Sequence, residues 1–391
     1  MPMPYPLGDI NQDGVVDAFD LSIMVSVWGS DDASADLNND GVVDAFDLSI
    51  LASNWGETGG GSEPEDTVYY LSPIGSDSND GSEQSPVLSL QEINNRLEQN
   101  PPENNVRIII ASGRYYNQRV QWTYYSTNNY VRFEAEDVNN RPVFDGCTQT
   151  GVCGGGIFFT CRPANGEYTN LHFWYLRIEN YQTAMSLGGR RGPYDHLNDQ
   201  AHDEYSGGNT IYGVWFENIG NIFNPALSPS TAVIMLVNSR ENLIQNNHFV
   251  NAINATSPHL IHAVYAAHHS SYNEIRNNRF EENSGDAIRV RDHSDFNSIT
   301  GNTLINAGFY GYSDWFCDHT TRDDCTKYNG GDGYECPSWG NEFRNNLLGT
   351  QYNSTSNIGV FIYYQDYELS YECIPPGSET RRLRTSGNER I

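Results

Sequence analysis

The sequence predicts a mainly β chain in which a parallel β-helix, a solenoid of stacked coils, follows a small α-helical module. Two repeats predict this organisation. The stretch GDINQDGVVDAFDLSI at 8–23 returns almost unchanged as ADLNNDGVVDAFDLSI at 35–50, and a looser phrase beginning with Asn recurs later. Between them, ETGGGSEPED at 57–66 is rich in Gly and poor in bulky apolar residues, as flexible linkers are. We therefore expect a module at 1–57, a linker at 58–66 and the solenoid at 67–391.

Each copy of the first repeat spaces oxygen-bearing side chains as a calcium-binding loop does. Such a loop surrounds the cation with oxygens from alternate positions, uses a backbone carbonyl midway and needs Gly for a sharp turn. Gly14 and Gly41 occupy the turn positions, so two bound Ca²⁺ ions are predicted. An acidic solvated loop is the alternative, although its carboxylates would repel one another without a metal. The predicted ligands are Asp9, Asn11, Asp13, Val15 (carbonyl), Asp17 and Asp20, then Asp36, Asn38, Asp40, Val42 (carbonyl), Asp44 and Asp47.

These loops, with the runs LSIMVSVWG and LSILASNWG that follow them, resemble the dockerin type I domain over residues 1 to about 57. The resemblance implies a protein partner, either a cohesin-like protein or another copy of this chain. The chain differs from many cellulosomal dockerins at Ala18–Phe19 and Ala45–Phe46, where those members carry small hydroxyl-bearing residues for cohesin recognition. A module of this size buries little apolar surface, so we expect the ions to stabilise its fold.

The later repeat has the frame Asn-x-[Ile/Leu/Phe]-x-x-x-x-[Phe/Leu], at intervals typical of a solenoid. Two neighbouring stretches, HAVYAAHHSSYNEIRNNRF at 262–280 and DAIRVRDHSDFNSITGNTL at 286–304, align without a gap. We expect each coil to pair its short strands with the coils above and below, about 4.8 Å away. Asn suits the bends, where Asn side chains on successive coils would bond one another. The repeat occurs as NTIYGVWF at 209–216, NLIQNNHF at 242–249, NEIRNNRF at 273–280, NSITGNTL at 297–304 and NEFRNNLL at 341–348.

This region resembles the right-handed parallel β-helix proteins of the pectate-lyase-like group, over roughly residues 67–370. The phrase YYLSPIGSDSNDGSEQSP at 69–86 is similar to one that opens many secreted members. The resemblance implies cleavage of polysaccharides, by β-elimination at uronic acids or by hydrolysis. The strings NTD, GHG and RIK of polygalacturonase-type hydrolases are absent from the sequence, which disfavours that route.

β-Elimination needs a positive charge beside the uronate carboxylate, a base for the C5 proton and an acid for the leaving oxygen. Many β-helix lyases use Lys or Arg as the base, but Lys327, the single lysine here, lies in a cysteine-bracketed insertion. In the aligned coils, Arg289 and Arg291 alternate with apolar residues, so they should face solvent. A solvated salt-bridge ladder is the alternative. The predicted catalytic residues are Arg289 and Arg291 for the carboxylate, Tyr265 as acid, and His262, His268 or His269 as base.

Two other stretches are candidate walls of a substrate groove. GGRRGPYDHLNDQAHDEYSGGN at 188–209 is polar. The insertion GFYGYSDWFCDHTTRDDCTKYNGGDGYECPSWG at 308–340 is aromatic, as expected of rings that stack on sugar faces, and a miniature core tied by disulfides is the alternative there. The predicted substrate-binding residues are Arg190, Arg191, Trp315 and Trp339.

The formal net charge of −28 argues against nucleic acid or an anionic membrane as partner. No apolar run is long enough for membrane insertion. Calcium loops and seven cysteines are typical of an extracellular protein. We expect disulfides within each of two groups, with a zinc site as the alternative for the second group and at least one thiol left over. The groups are Cys147, Cys153 and Cys161, then Cys317, Cys325 and Cys336, with Cys373 outside both.

The sequence therefore favours a secreted carbohydrate-active protein, a polysaccharide lyase or another glycan-degrading enzyme for acidic polysaccharide. Two alternatives remain open: a noncatalytic extracellular scaffold that assembles, into filaments for example, through the calcium module and β-helix stacking, and a glycan-binding protein without cleavage. The net charge favours the scaffold, because a chain of charge −28 repels polyanions at long range. The local cluster of Arg and His favours the enzyme.

Overall fold

A computed structural model of the chain describes residues 6–38, 41–57, 66–163, 165–190, 203–317, 335–363, 373 and 381–391. The chain divides into two compact units, Met1–Glu65 and Asp66–Ile391. The first unit contains the duplicated loops, and the second contains the repeated coils. No helix within the described ranges is long and apolar enough to cross a membrane.

The first unit contains two short helices, α1 (Ala18–Ser26) and α2 (Ala45–Ser53), each of which follows one loop. The side chain of Asp17 caps α1, while Asp20 in the first turn accepts a hydrogen bond from the Asp17 amide, and α2 repeats this capping box. The acidic residues therefore start the helices as well as lining the loops. A small apolar core joins the two repeats and consists of Ile10, Val16, Met24, Ala35, Val43 and Leu51.

The second unit is a right-handed parallel β-helix, which confirms the predicted fold class. The chain passes through three long parallel sheets in turn, and each strand then pairs with the equivalent strand of the next coil. A helix, α3 (Leu90–Gln99), buries Leu90, Ile93 and Leu97 in the same core. A 3₁₀ turn lies at Pro258–Leu260.

The strands are numbered along the chain and grouped here by sheet. The first sheet contains β1 (Thr67–Leu71), β2 (Val106–Ile110), β5 (Val131–Ala135), β8 (Leu171–Trp174), β12 (Thr210–Tyr212), β16 (Leu243–Gln245), β19 (Glu274–Arg276), β22 (Ser298–Thr300), β25 (Asn341–Arg344) and β28 (Leu383–Ser386). The second contains β3 (Arg114–Tyr116), β6 (Val143–Asp145), β9 (Arg177–Glu179), β13 (Trp215–Gly220), β17 (His248–Ile253), β20 (Arg279–Asn283), β23 (Thr303–Ala307), β26 (Leu347–Leu348) and β29 (Glu389–Arg390). The third contains β4 (Val120–Gln121), β7 (Ile157–Cys161), β10 (Thr183–Gly188), β14 (Ala232–Val237), β18 (His262–Ala267), β21 (Ile288–Arg291), β24 (Tyr310–Asp314) and β27 (Gly359–Ile362). A short pair is formed by β11 (Ser206–Gly207) and β15 (Ser239–Arg240).

Like residues stack inside the coils, one above the other. Phe216, Phe249 and Phe280 form one such column, with ring centroids 4.8 Å apart at each step. The Asn residues of the repeat form two buried ladders of side-chain hydrogen bonds, as predicted. One ladder runs through Asn209, Asn242, Asn273, Asn297 and Asn341, and the other through Asn247, Asn278, Asn302, Asn346 and Asn388.

Replacing one rung of a ladder should destabilise the β-helix strongly. Asn278 accepts a hydrogen bond from the Asn247 amide (2.9 Å) and donates to the Ile244 carbonyl (2.8 Å). Asn278→Ala leaves both buried groups unpaired, and each such loss costs about 1–3 kcal/mol. We expect the free energy of unfolding to fall by about 2–6 kcal/mol in urea denaturation. The control Asn95→Ala, on the exposed side of α3, should change it by less than about 0.5 kcal/mol. Equal effects of the two substitutions would contradict a stabilising role for the ladder.

The disulfides follow the expected grouping only in part. Cys147 pairs with Cys153 inside the first group, and Cys161 is a free thiol that is buried. Cys336 pairs with Cys373, so the expectation that disulfides stay within the groups is wrong for this pair. The reason is tertiary, because the fold returns Cys373 to the insertion from 37 residues further along the chain.

The zinc alternative also fails for the described cysteines of the second group. Cys317 and Cys336 are both in disulfides, so neither supplies the thiolate that a zinc site needs. Cys325 lies outside the described residues.

Candidate functional site

The first repeated loop, predicted to bind calcium, is curled by hydrogen bonds from its own backbone to its acidic side chains. Asp9 accepts from the amides of Asp13 (3.0 Å) and Gly14 (2.7 Å). Asp20 accepts from the amide of Ile10 at 2.7 Å. The same carboxylates that are predicted to bind the ion therefore also hold the turn.

The electrostatics of this loop favour a bound cation. Burial, together with the neighbouring charges of Asp13 and Asp20, raises the pKa of Asp9 to about 6. Burial also raises the pKa of Asp20. Part-buried carboxylates that repel one another are stabilised by a cation, and an all-oxygen donor set suits Ca²⁺. The residues that would hold the ion are the predicted ones: Asp9, Asn11, Asp13, Val15 (carbonyl), Asp17 and Asp20.

The second loop repeats this arrangement at its described positions. Asp36 accepts from the amide of Gly41 at 2.9 Å. Asp47 accepts from the amides of Asn38 (3.1 Å) and Asp44 (2.8 Å). The predicted carbonyl donor Val42 lies between them in the chain, and the predicted ligand Asp40 lies outside the described residues.

The predicted catalytic residues meet on the outward face of the third sheet. Strands β18 and β21 pair in the register that the gap-free alignment predicts, which sets Tyr265 beside Arg289. Ile288 and Val290 are buried in the core, so Arg289 and Arg291 project from the opposite side of β21. One tyrosine and two arginines from adjacent coils therefore share this face.

Tyr265 lies at the centre of the cluster and is 8% exposed. Its Oη accepts a hydrogen bond from Nη1 of Arg291 at 3.3 Å. Its ring stacks on the imidazole of His262, with centroids 5.8 Å apart. Burial, and then the charge of Arg289, holds the pKa of His262 well below its usual range, so this imidazole is neutral. His262 is buried and supports the tyrosine ring, and it does not reach the surface as a base.

Arg289 is held by two groups on its own and the next coil. Its Nη2 donates to a carboxylate oxygen of Asp286 at 2.7 Å, and its Nε donates to the Ser313 hydroxyl at 3.0 Å. This ion pair is the contact that the salt-bridge alternative predicts. It also orients the guanidinium, which has five N–H donors and is partly exposed, so further donors can meet an anion.

Arg291 is held by residues of the aromatic insertion. Its Nε donates to Glu335 at 2.5 Å, and its guanidinium carbon lies 4.5 Å from the ring centroid of Trp315. Burial lowers the pKa of Arg291, but the adjacent Tyr265 and Glu335 raise it above its usual value. The guanidinium therefore stays charged. The predicted substrate-binding Trp315 thus lies at the predicted catalytic cluster.

His268 and Asp292 form a buried pair at the bend that follows the sheet. Nδ1 of His268 lies 2.8 Å from Oδ2 of Asp292, and both residues have positive φ. His and Asp adopt this left-handed conformation more readily than most residues do. Burial raises the pKa of Asp292, but the hydrogen bond from His268 outweighs this effect and holds that pKa below its usual range. His268 is 2% exposed, so its place in the fold is to support the bend rather than to meet substrate as the predicted base.

The same pair forms, with Glu335, a group that could hold a cation. The ligand atoms of His268, Asp292 and Glu335 lie within 4.8 Å of one another. Arg291 already donates to Glu335, and the Cys336 amide donates to Asp292 at 3.0 Å. The guanidinium also opposes a second positive charge nearby. We therefore interpret this group as a hydrogen-bond network that holds Arg291.

Two other predicted residues differ in exposure, since His269 is partly exposed whereas Trp339 is buried. The rings of His269 and His293 stack at 5.2 Å on successive coils, as the alignment predicts. Trp339 is 4% exposed, and its amide donates to Asp295. Trp339 packs within the protein and is not available as a platform for sugar rings, which corrects the expectation for this residue.

The polar stretch at 188–209 is described only at its two ends. Arg190 is exposed and forms a two-pronged ion pair with Glu204, at 2.9 and 3.0 Å. Arg191 lies outside the described residues, as do residues 318–334 of the aromatic insertion. Of the two arginines predicted to bind substrate in this stretch, the structure therefore describes Arg190.

Sequence reasoning missed two residues of this face. Glu335 lies in the insertion, where no repeat aligns, and no signal in the sequence connects it with Arg291. Arg162 directly follows β7 and carries a third guanidinium on the outward face, where its Nε donates to Ser186 at 2.9 Å. The alternation of Thr160, Cys161 and Arg162 at the end of a strand was a signal that could have found it.

The chain is similar to one known family and to several solved structures. Residues 7–54 match the dockerin type I domain. The N-terminal module is dockerin type I-like. No curated protein matches the sequence. Similar solved structures include an alginate lyase from Paenibacillus sp. str. FPU-7 (13% identity, 76% of this chain and 92% of that chain, TM-score 0.46), the catalytic domain of a GH87 alpha-1,3-glucanase in complex with nigerose (14%, 86% and 47%, 0.48) and pectate lyase Pel9A (12%, 83% and 78%, 0.38).

These three likenesses are too distant to transfer an activity or a substrate to this chain. The dockerin match covers only the first unit and carries no information on the chemistry of the second unit. Dockerin domains typically bind calcium, which agrees with the donor set of the two loops.

Proposed function

We propose that the second unit cleaves an acidic polysaccharide by β-elimination on the outward face of the third sheet. The observation that carries this proposal is the placement of Tyr265. Its hydroxyl oxygen accepts a hydrogen bond from Arg291, and Arg289 lies beside it in register. A proton-transfer group and two guanidinium groups on one face are the components that elimination at a uronate needs.

In the proposed reaction, Arg289 binds the uronate carboxylate through N–H groups that Asp286 and Ser313 do not use. The carboxylate then accepts more of the negative charge that develops at C5. The C5 proton leaves, its electron pair forms the C4=C5 double bond, the C4–O bond breaks, and the departing oxygen gains a proton. Tyr265 takes the C5 proton as phenolate and returns it to the leaving oxygen.

Arg291 supports this role because it can balance negative charge on the tyrosine oxygen. The buried His262 and His268 are positioning residues in this proposal: the first stacks behind the tyrosine ring, and the second braces the following bend. This assignment replaces the histidine base expected from sequence, because both imidazoles, at 3% and 2% exposed, are more deeply buried than the tyrosine at 8%.

The test is incubation of the full chain, with calcium, against pectins, alginates and glycosaminoglycans. Near-ultraviolet absorbance reports the unsaturated sugar that elimination forms, and a reducing-end assay reports cleavage of either kind. We expect both signals to rise together on at least one polymer. Reducing ends without absorbance would indicate hydrolysis and contradict the elimination mechanism. No signal in either assay with any polymer of the panel would contradict the proposal and favour the noncatalytic scaffold.

For the first unit, we propose two bound Ca²⁺ ions and a cohesin-like protein partner outside the cell, where calcium is abundant. Similarity to the dockerin type I domain over residues 7–54 supports this proposal. Phe46, one of the residues that differ from many dockerins, is 69% exposed and available for contact. Calorimetric titration with cohesin domains, with and without a chelator, tests it. Self-association in sedimentation experiments, without cohesin binding, would indicate another copy of the chain as the partner.

A further inference from the structure

The outward face of the third sheet extends well beyond the cluster around Tyr265. Arg162, after β7, is exposed, and its guanidinium donates to Ser186 on β10. Its Nη2 also lies 3.4 Å from the sulfur of Met235 on β14. Met235 in turn packs against the small apolar cluster that contains Tyr265 and pairs with Tyr265 in the sheet. A continuous line of contacts therefore joins Arg162 to the tyrosine across adjacent coils.

The pairing of the strands shows that this line is straight. Thr160 pairs with Ser186, Ser186 with Met235, and Met235 with Tyr265, which lies beside Arg289. All five residues therefore occupy one outward row, perpendicular to the strands. Between the guanidinium of Arg162 and Tyr265, this row contains the buried hydroxyl of Ser186, which is bonded to Arg162, and the flexible thioether of Met235. Neither of these side chains is charged, so neither repels a polyanion on the path.

An open cleft of about 420 Å³ lies at the far end of this row, beside Arg162. Polar groups and aromatic rings line it together, a combination that suits sugars. From Tyr265 on β18 to Gln121 on β4, strands β14, β10 and β7 intervene. This separation is four strand spacings, or about 19 Å. The cleft is lined by Gln121, Trp122, Thr123, Tyr125, Thr160, Arg162 and Asn165, among others.

We propose that Arg162 and this cleft form a distal subsite for the same acidic polysaccharide chain, several sugar units from the bond at Tyr265. The inference rests on the proposed function and adds to it a requirement for chain length. A polymer with a carboxylate on each sugar can meet Arg162 and Arg289 at once, because a linear polyanion repeats its charge along the row. In a chain of net charge −28, these guanidinium groups supply the local attraction that the rest of the surface lacks.

The experiment measures binding rather than turnover. Calorimetric titrations use the Tyr265→Phe full chain, so that no ligand is consumed, with oligogalacturonates and oligoalginates of about two to eight units. We expect affinity to rise with length until the row is filled. Adding Arg162→Gln should weaken the long oligomers about tenfold or more, as loss of a charged hydrogen bond does, and leave the shortest ones unchanged. Arg276→Gln, which changes a partly exposed arginine of the first sheet, should change neither.

The outcomes separate this inference from the proposed function. Length-dependent binding that Arg162→Gln abolishes, in a wild-type chain that cleaves nothing, supports the subsite and overturns the lyase. Cleavage by the wild type, with the Arg162→Gln variant showing unchanged KM for long oligomers, overturns the subsite alone. An equal loss of affinity at every length would also overturn it, as would no binding of any oligomer. Arg162 is exposed, so its substitution should leave the melting temperature unchanged, which checks the fold of the variant.

Discussion

Tyr265→Phe is expected to lower kcat for polysaccharide cleavage by about 10²–10⁴-fold, the usual contribution of a positioned proton-transfer group. The substitution removes only the hydroxyl that bonds to Arg291 and carries the proton between C5 and the leaving oxygen. The ring would keep its stack on His262 and its contact with Met235. The measurement is the initial rate of absorbance increase on the polymer that the wild-type chain cleaves best.

Two controls distinguish loss of the hydroxyl from loss of the fold. The melting temperature of Tyr265→Phe should equal that of the wild type, because the packing of the ring is retained. Arg276→Gln changes a similar ion-paired arginine on another sheet, next to Glu274, and should keep full activity. A Tyr265→Phe variant with wild-type kcat would remove the tyrosine from the mechanism. The search for a base would then return to His269, which is partly exposed on the same bend.

Removal of calcium is expected to unfold the first unit and to leave the second folded. The core of the first unit consists of six buried residues, too few to offset the chain entropy and the repulsion among its carboxylates. The metal's binding energy then becomes folding energy. In limited proteolysis of the full chain with a chelator, we expect rapid cleavage within residues 6–57, while a fragment that begins near residue 66 persists.

Addition of calcium should restore protection, whereas magnesium at equal concentration should protect poorly, since it demands a smaller and more rigid oxygen cage. Asp13→Ala should weaken calcium binding, and Asp31→Ala, an exposed acidic control outside the predicted ligands, should not. Equal protease resistance with and without chelator would show that the module folds without the ions.

Much of the fold was predictable because the relevant signals are local or periodic. The loop ligands, the helix caps and the Gly turns lie within a few residues of one another, so their spacing alone predicts the calcium loops. The Asn residues recur at equivalent places in each coil, and the structure shows them bonded in ladders. The gap-free alignment also predicts which residues of adjacent coils meet, which is how Tyr265 came to be expected beside Arg289.

What the sequence alone determined is therefore the two-part organisation, the loops, the solenoid and the register of its aligned coils, since each depends on short-range spacing that repeats. The tertiary structure decided burial and every contact made by a segment outside the repeat. It removed His262, His268 and Trp339 from the surface, brought Glu335 to Arg291 and Cys373 to Cys336, and set the guanidinium of Arg162 against Met235 in the row that contains Tyr265. The physical reason is that insertions carry no period to align, and exposure depends on what packs above a side chain rather than on its neighbours in the chain.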